Sequence, residues 1–310
     1  MSKYMVTGGA GFIGSHIVNR LLNEGHEVVV VDNFLTGRRE NLKHYVKDVE
    51  FHEVDIRDAA GIAKAMKGVE YVYHQAALPS VPRSIENPIE SHAVNVNGTL
   101  NVLVAARDAG VKRFVLAGSS AAYGDIEEEY KHEGMPPNPK SPYAADKIAA
   151  ENYLMAFNAV YDMETVVTRY FNVFGPRQDP LSAYAAVIPL FAVAMIDDKA
   201  PTIYGDGTQS RDFTYIDNVV EGVRLAMESP NAPGQIFNIA CGDRISLLDL
   251  VEQLNRILGK SIQPNFAPPR VGDILHSRAS IDKARRLLNF EPKVSFGDGL
   301  ARTLEWYAAS

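Results

Sequence analysis

The sequence TGGAGFIG spans residues 7–14 and leads from a short apolar run into an amphipathic stretch at residues 12–23. The missing side chains of Gly8, Gly11 and Gly14 allow the backbone to approach a pyrophosphate, whose charge the free amides and positive dipole of a helix start can meet. A glycine triplet alone is weak evidence, but this one lies between a predicted strand and a predicted helix. The stretch therefore predicts a strand-loop-helix unit that binds a dinucleotide.

Asp32 follows a run of four valines at residues 28–31 and stands eighteen positions after the last glycine of the loop. A carboxylate at the end of a second strand can accept hydrogen bonds from both ribose hydroxyls of an adenosine, and it repels a 2′-phosphate. Arg38 and Arg39 complicate this preference, because a nearby arginine can accommodate that phosphate. We expect NAD rather than NADP as the cofactor.

Short β-branched runs continue to alternate with amphipathic stretches up to about residue 171. Strands are predicted at residues 4–6, 28–31, 49–54, 69–73, 114–116 and 165–170, and helices at residues 12–23, 92–109 and 143–160. Runs this apolar suit strands that are buried on both faces of a parallel sheet. The pattern predicts an α/β fold with a doubly wound parallel sheet, the Rossmann arrangement, over residues 1–171.

The chain changes character after residue 171, where prolines interrupt the alternation and the predicted elements become shorter. A smaller C-terminal α/β domain that binds the substrate is expected over residues 172–310. Within it, residues 212–240 include an apolar helix at residues 217–227 and an apolar strand at residues 235–240. We expect this segment to return to the sheet of the first domain.

The composition argues against several classes of partner. With 31 Lys and Arg against 38 Asp and Glu, the formal net charge is -7, which provides no basic field for nucleic acid or an anionic membrane. The single cysteine, Cys241, cannot form an internal disulfide or a thiolate cluster. We therefore expect a cytoplasmic protein with no metal site.

Tyr143 and Lys147 follow a serine-proline dipeptide that favours a helix start, so their side chains are expected on one helix face. A phenol has a pKa of about 10, so a tyrosine that acts as a base at neutral pH needs that pKa lowered by about three units. The positive charges of Lys147 and of an oxidised nicotinamide can lower it. Ser119 and Ser120 follow the predicted fifth strand, at the sheet edge where open α/β folds bind ligands. Together these groups predict a hydride-transfer site.

These motifs closely resemble the extended short-chain dehydrogenase/reductase family over the whole chain, and within it the UDP-hexose 4-epimerases. The resemblance assigns catalysis to Tyr143, Lys147 and Ser119. The residues it assigns to NAD are Gly8, Gly11, Phe12, Ile13, Gly14, Asp32, Asn33, Asp55, Ile56, Gln75, Ala76, Ala77, Asn95, Tyr143, Lys147 and Tyr170. Asp55 and Ile56 either flank the adenine or cap the end of the third strand, and Asn95 steadies either the active-site backbone or the cofactor.

The second half of the chain resembles the sugar-nucleotide site of the same family. The resemblance implies that Asn172, Arg211 and Arg270 contact the phosphates and that Asp273 contacts the ribose. The full set of substrate residues it implies is Ser80, Arg83, Ser119, Ser120, Tyr143, Asn172, Val187, Tyr204, Arg211, Arg270, Asp273 and Ser277. Two guanidiniums suit a dianionic pyrophosphate, since each can bind its oxygens bidentately.

The sequence departs from the family pattern in two places. The residue before the lysine is often Ser or Thr in the family, whereas here it is Asp146. Three consecutive hydroxyl residues are common after the fifth strand, but only Ser119 and Ser120 are present here. The choice between these two serines stays open, and alignment back from Tyr123 favours Ser119.

The resemblance implies an NAD-dependent UDP-sugar 4-epimerase that acts through a transient 4-keto sugar. A nucleotide-sugar 4,6-dehydratase is an alternative, but that class carries an Asp-Glu pair after the active-site hydroxyl, where this chain has Ser120 and Ala121. A non-catalytic NAD sensor is a remote alternative, since sensors typically lack the tyrosine and lysine. A homodimer through the helices predicted at residues 92–109 and 143–160 is also implied.

Ser277 bears on the size of the sugar. In the resembling epimerases, the residue four positions beyond the ribose-binding Asp borders the C2 substituent, and it is a bulky tyrosine in members confined to UDP-glucose and UDP-galactose. Here it is a small serine, and the segment at residues 80–84 also resembles the branch that prefers N-acetylated sugars. We therefore expect interconversion of UDP-N-acetylglucosamine and UDP-N-acetylgalactosamine. A UDP-glucose 4-epimerase without N-acetyl preference is the alternative.

Overall fold

The computed structural model describes residues 1–180, 186–269 and 275–309. In chain order, its strands are β1 (Lys3–Thr7), β2 (Glu27–Asp32), β3 (Glu50–Glu53), β4 (Tyr71–His74), β5 (Arg113–Ser119), β6 (Glu164–Tyr170), β7 (Val173–Phe174), β8 (Thr202–Tyr204), β9 (Ser210–Arg211), β10 (Thr214–Tyr215), β11 (Gln235–Ile239), β12 (Ile245–Ser246), β13 (Asn265–Ala267) and β14 (His276–Ser277). A parallel seven-stranded sheet has the order β3-β2-β1-β4-β5-β6-β11. The predicted doubly wound Rossmann arrangement is confirmed.

Helices cover both faces of this sheet. In chain order they are α1 (Phe12–Asn23), α2 (Ala59–Ala65), α3 (Val81–Glu86), α4 (Pro88–His92), α5 (Thr99–Asp108), α6 (Pro142–Tyr161), α7 (Val187–Ile196), α8 (Ile216–Glu228), α9 (Leu247–Leu258), α10 (Asp282–Leu288) and α11 (Phe296–Ala308). Helices α1 and α8 pack on one face, and α2, α5 and α6 pack on the other. Within the described ranges, no helix has both the length and the apolar character needed to cross a membrane.

The run of four valines in β2 shows why the strands are apolar throughout. Val28 and Val30 belong to the hydrophobic cluster that includes α1 and α8, whereas Val29 and Val31 belong to the cluster that includes α2, α5 and α6. Successive side chains of a strand point to opposite faces, so a strand between two helical layers buries every residue. All four valines are buried accordingly.

The single helix predicted over residues 92–109 is wrong in detail. Helix α4 ends at His92, a π-helical turn follows at Ala93–Gly98, and α5 begins at Thr99. The wider turn contains Asn95. Its side-chain oxygen accepts a hydrogen bond from Leu78 N, and its side-chain nitrogen donates one to Leu78 O. Single π turns are frequent at functional sites, because they redirect a side chain without ending the helix.

Beyond β6 the chain forms smaller sheets. Strand β7 pairs with β10, β8 pairs with β13, and β9 lies between β12 and β14. The chain then returns to the large sheet, because α8 packs against α1 and β11 pairs in parallel with β6. An apolar helix, Ile216–Glu228, and an apolar strand, Gln235–Ile239, from the second half of the chain thus pack with the large sheet.

The glycine loop between β1 and α1 lies tightly against the end of β4. Gly8 has φ of +67°, and a Cβ built there would stand 2.7 Å from the backbone nitrogen of Ala76. A Cβ on Gly14 would overlap the carbonyl oxygen of Gly8. The loop is closed by a 3.0 Å hydrogen bond from Gly11 N to Gly8 O. Glycine is therefore required here both for backbone conformation and for the close approach of two chain segments.

Gly8→Ala is expected to abolish retention of the dinucleotide, because the added Cβ meets the backbone of Ala76, which cannot move aside as a flexible side chain can. Gly25→Ala is the matched control, since Gly25 also has a positive φ, +78°, but no described atom lies within 4 Å of a Cβ there. Both variants should lose about 1 kcal/mol to left-handed strain. The nucleotide released on denaturing each purified protein, quantified by chromatography, provides the measurement. Equal retention by both variants would contradict the role given to this contact.

Candidate active site

Asp32, the last residue of β2, lies directly below the glycine loop. Its carboxylate accepts hydrogen bonds from Ala10 N at 2.9 Å and Phe34 N at 2.8 Å. Burial raises the pKa of this carboxyl, and the two backbone hydrogen bonds oppose that shift. The carboxylate is thus rigidly held at the carboxyl end of the sheet, where a ribose would reach it.

Two arginines follow Asp32 and could in principle receive a 2′-phosphate. Arg38 forms a 2.7 Å ion pair with Asp179, and Arg39 forms a 2.7 Å ion pair with Glu53. Arg39 also stacks over the Phe34 ring, with 4.0 Å from its guanidinium carbon to the ring centroid. Because each guanidinium already has a carboxylate partner, the local charges agree with NAD as the cofactor.

Asn33 and Asp55 lie together beyond β2 and β3. Asp55 accepts hydrogen bonds from Asn33 Nδ2 and from the backbone of Arg57, both at 2.8 Å. The Arg57 guanidinium is the main cause that lowers the pKa of Asp55 to about 2. Ile56 is buried beside Gly98. Asp55 therefore makes the strand-end contacts of one of its two predicted roles, and its contact with the adenine stays a prediction.

Gln75 provides a test of whether the residues present suit NAD. Gln75, Ala76 and Ala77 directly follow β4, opposite the glycine loop. Tyr170, at the end of β6, donates its hydroxyl to Gln75 Oε1 at 3.1 Å. Among the described residues, the buried Gln75 Nε2 has no hydrogen-bond partner. A buried amide donor without a partner, next to a glycine loop that admits no side chain, fits a polar cofactor.

Phe12 and Ile13 open α1, so their amides are among the free donors at the helix start. Asn95, by contrast, uses its side chain on the protein itself. Its Oδ1 accepts from Leu78 N at 2.8 Å and its Nδ2 donates to Leu78 O at 3.3 Å. Of the two predicted roles for Asn95, the described contacts match the steadying of the active-site backbone.

The Tyr143 phenol, the Ser119 hydroxyl and the Lys147 ammonium meet where β5 ends and α6 begins. Ser119 is the last residue of β5 and lies close enough to Tyr143 to lower the pKa of its phenol. Lys147 Nζ donates to Ala117 O at 3.0 Å and lies 5.8 Å from the centre of the Tyr143 ring. Ser120 begins the following 3₁₀ turn. The effect of Ser119 on the phenol agrees with the predicted preference for Ser119, and the choice between the two serines stays a prediction.

Electrostatics at this cluster differ from the sequence expectation. Burial raises the pKa of the Tyr143 phenol, the hydrogen bond to Ser119 lowers it, and the charge of Glu151 raises it. Burial likewise lowers the pKa of Lys147 to about 8, although Glu151 and Asp146 oppose that shift. The protein's own groups thus raise the pKa of the base, because burial and the charge of Glu151 outweigh the effect of Ser119. The positive charge of an oxidised nicotinamide remains to favour the phenolate.

A buried ion pair behind the cluster escaped the sequence analysis. Glu151 and Arg169 are each 2% exposed, and Arg169 Nη2 lies 2.6 Å from Glu151 Oε2. Two charges this deeply buried must be paired. The available signal was spacing, since Glu151 stands one helical turn after Lys147 and so faces the same way.

A cavity of about 290 Å³ opens in the second half of the chain. Four of the predicted substrate residues line it, Asn172, Val187, Tyr204 and Arg211. Its other walls are mainly apolar, which suits a planar base beside a charged group. Lining residues that the sequence analysis did not identify include Gln209, Phe191, Phe213 and Leu247.

The remaining predicted substrate residues have mixed positions. Ser277 pairs with Arg211, a residue that lines the cavity, in the β14–β9 ladder. Ser80 caps α3 by accepting from Arg83 N at 3.2 Å, and the Arg83 guanidinium lies 3.2 Å from Glu90. Arg83 thus forms an ion pair with a carboxylate of α4. Arg270 and Asp273 lie outside the described residues.

The histidines near these sites have ordinary partners. His74 Nδ1 lies 2.7 Å from Thr7 Oγ1 and its Nε2 lies 3.0 Å from Thr99 Oγ1, while burial lowers its pKa to about 3. His276 Nδ1 lies 2.9 Å from Ser210 Oγ. In the described part of the chain, no group of three or more His, Cys, Asp or Glu side chains could hold a metal.

Comparison with known proteins agrees with this geometry. The sequence matches the NAD dependent epimerase/dehydratase family over residues 4–240. A UDP-glucose 4-epimerase of Mycolicibacterium smegmatis is 40% identical over 311 residues, which cover 98% of each chain. The UDP-glucose 4-epimerase of Thermotoga maritima, solved with UDP-glucose, is 37% identical with a TM-score of 0.95 over 99% of each chain.

A second solved structure is equally similar. It is a UDP-N-acetylglucosamine 4-epimerase of Methanobrevibacter ruminantium in complex with UDP-N-acetylmuramic acid, 37% identical with a TM-score of 0.95, covering 99% of this chain and 98% of that one. The glycine loop, the carboxylate of Asp32 and the buried amide of Gln75 all suit NAD. We conclude that the chain belongs to the NAD-dependent epimerase/dehydratase family and uses NAD.

Proposed function

We propose that this protein is an NAD-dependent UDP-sugar 4-epimerase that interconverts UDP-N-acetylglucosamine and UDP-N-acetylgalactosamine. UDP-glucose and UDP-galactose would be weaker or comparable substrates. The observation that carries the proposal is the grouping of Tyr143, Ser119 and Lys147 where β5 ends and α6 begins, at the sheet edge next to the glycine loop. The 4-epimerases among the similar proteins support the same chemistry.

In this proposal, Tyr143 takes the proton of the sugar C4 hydroxyl while Ser119 hydrogen-bonds to the same oxygen. Bound NAD supplies the acceptor and donor for the C4 hydride, so the reaction has no net redox change. Lys147 contributes positive charge next to the phenol. Arg211 and the apolar cavity hold the nucleotide, so the 4-keto sugar can rotate and present its other face without leaving the site.

Two other functions are less well supported. A 4,6-dehydratase needs an added acid and base to remove water, and the residues after Ser119 are Ser120 and Ala121, which offer neither a carboxylate nor an imidazole. A non-catalytic NAD sensor has no use for a phenol, a hydroxyl and an ammonium placed close together, or for a cavity with a guanidinium in its wall. Both alternatives leave features of this site without a role.

Ser277 supports the N-acetyl preference. It pairs in the ladder with Arg211, which lines the cavity, and we infer that its side chain would border a sugar next to the diphosphate. A sugar that turns within the site needs room for its C2 group in both orientations. A serine leaves that room, whereas a tyrosine ring would overlap an acetamido group at a cost that no hydrogen bond offsets.

Tyr143→Phe is expected to lower kcat by about two to four orders of magnitude, because the ring stays and only the phenolic oxygen is lost. Bound NAD should be retained. The measurement is C4 inversion of a UDP-sugar followed by NMR. Tyr161→Phe, at the exposed end of the same helix, is the control and should keep wild-type turnover. Near-normal activity of Tyr143→Phe would show that another group is the base.

Ser277→Tyr is expected to abolish turnover of UDP-N-acetylglucosamine while sparing that of UDP-galactose, because the ring fills the space beside the C2 substituent. Parallel assays with both sugars report the ratio of the two kcat/KM values. Ser277→Ala is the control, since it removes the hydroxyl without adding volume, and it should leave that ratio within about threefold of wild type. Equal loss of both activities in Ser277→Tyr would reject the role of Ser277 in sugar size.

We also propose that the protein forms a homodimer through the surface of α4, α5 and α6, in keeping with the helices predicted to pair. This surface exposes apolar side chains: Ile89 is 82% exposed, Val160 is 70% exposed and Tyr153 is 40% exposed. Tyr153 and Val160 are seven residues apart and so share one face of α6. A second copy that packs the same face against it would bury this patch symmetrically.

Val160→Glu is expected to convert the dimer into a monomer, because it introduces a charge into each half of a symmetric apolar contact. Leu248→Glu on α9 is the matched control, since Leu248 is also exposed, at 41%, but lies away from this surface. Sedimentation velocity at a fixed protein concentration gives the mass of each variant. A monomeric wild type, or a dimeric Val160→Glu, would contradict the proposed interface.

A further inference from the structure

Asp146 is a buried carboxylate in the turn of α6 that carries Tyr143 and Lys147. The residue is only 5% exposed. An isolated carboxylate at such a depth is costly, so its charge must be met by donors or by a cation. The family resemblance gives Asp146 no role, since a hydroxyl residue is common at its position.

The carboxylate is held by two side chains from the end of α4. Ser91 donates its hydroxyl to Asp146 Oδ2 at 2.6 Å, and His92 Nδ1 lies 3.1 Å from Asp146 Oδ1. A short hydrogen bond from a hydroxyl to an oxygen is typical of an ionised acceptor. Each carboxylate oxygen therefore has a partner on the neighbouring helix.

Ser91 also links Asp146, through Asn95, to the segment that follows β4. Its hydroxyl oxygen accepts from Asn95 Nδ2 at 3.3 Å, and Asn95 in turn binds Leu78 N and O at 2.8 and 3.3 Å. Leu78 directly follows Gln75, Ala76 and Ala77, which lie against the glycine loop. A chain of hydrogen bonds thus joins the catalytic turn of α6 to the segment after β4.

Asp146 also affects the charge of its neighbour. Its negative charge favours the ammonium form of Lys147, whereas burial favours the neutral amine. The other charged or titratable groups near Lys147 are Tyr143 and Glu151 on α6, and His74 on β4. Glu151 is already paired with Arg169 of β6, so Asp146 is the carboxylate near Lys147 that has no arginine partner among the described residues.

We propose that Asp146 is a positioning residue: its carboxylate fastens the Tyr143–Lys147 turn to the segment after β4, through Ser91 and Asn95, and it counters the positive charge of Lys147. A hydroxyl at this position could bond to Ser91, but it would carry no charge and could not accept from Ser91 and His92 on two separate oxygens. The carboxylate therefore combines an anchor with a counter-charge. The inference relies on the proposed epimerase activity only for its kinetic readout.

Asp146→Asn tests the charge in NAD-loaded protein without sugar. The Lys147 ε-carbon is followed by ¹³C NMR during a pH titration, and it is assigned by its absence in Lys147→Met. Loss of the carboxylate charge should move the Lys147 midpoint to lower pH by about one unit. Asp108→Asn, an exposed acid at the end of α5, is the matched control and should leave the midpoint unchanged.

Ser91→Ala tests the anchor separately, because it breaks the link to Asn95 and keeps the carboxylate charge. It should lower kcat for C4 inversion about tenfold with little change in KM, which is the effect of losing one hydrogen bond to a charged group near the reacting atoms. The Lys147 midpoint should stay within about 0.3 pH units of wild type. The pattern of one variant moving the midpoint and the other sparing it distinguishes a counter-charge from general loss of structure.

An unchanged Lys147 midpoint in Asp146→Asn, or a wild-type kcat in Ser91→Ala, would overturn the proposal. If Asp146→Asn does not fold, Asp146→Ser provides the same charge removal with a smaller side chain, and the same midpoint shift is expected. Since the titration needs no sugar, its result stands even where wild-type protein fails to invert UDP-sugars. That failure would reject the proposed function and leave the role of Asp146 to be judged on the midpoint alone.

Discussion

Parallel pairing of the central strands is the constraint on which the site depends. Thr7 pairs with His74 and Ser119 pairs with Tyr170, and each of these is the last residue of its strand. In a parallel sheet the carboxyl ends of neighbouring strands lie at one edge, so residues far apart in sequence meet there without any designed loop. The glycine loop, Asp32, Ser119 and the Gln75–Tyr170 contact all lie along this edge.

Helix α6 places Tyr143 and Lys147 at this edge, where burial disfavours the charged form of each side chain. One side of the helix carries Tyr143, Lys147 and Glu151, all near the buried end of β5. Burial disfavours both the phenolate and the ammonium. The buried carboxylates of Glu151 and Asp146 offset this cost for the ammonium, whereas Glu151 adds to the cost for the phenolate. The same low polarity strengthens the interaction between these charges and a bound cofactor.

Hydrogen bonds connect the cavity in the second half of the chain to the large sheet. Asn172, two residues beyond β6, donates to Asp212 O at 3.1 Å. The Asp212 carboxylate accepts from the backbone of Cys241, Gly242 and Ala279 at 2.9 to 3.1 Å, and burial raises its pKa to about 6. Since β11 ends just before Cys241, these bonds connect the cavity wall to the returning strand. The cavity wall is therefore fixed relative to the sheet edge that carries Ser119 and Tyr170.

The sequence by itself determined the elements whose signals are local. The spacing of Gly8, Gly11 and Gly14, the valines of β2 and the position of Asp32 predict the fold and the cofactor, because backbone freedom and side-chain periodicity act over a few residues. Tertiary structure alone decided the Glu151–Arg169 pair, the π turn at Ala93–Gly98 and the upward shift in the pKa of Tyr143. These depend on burial and on contacts between distant segments, and such contacts leave no periodic trace in the chain.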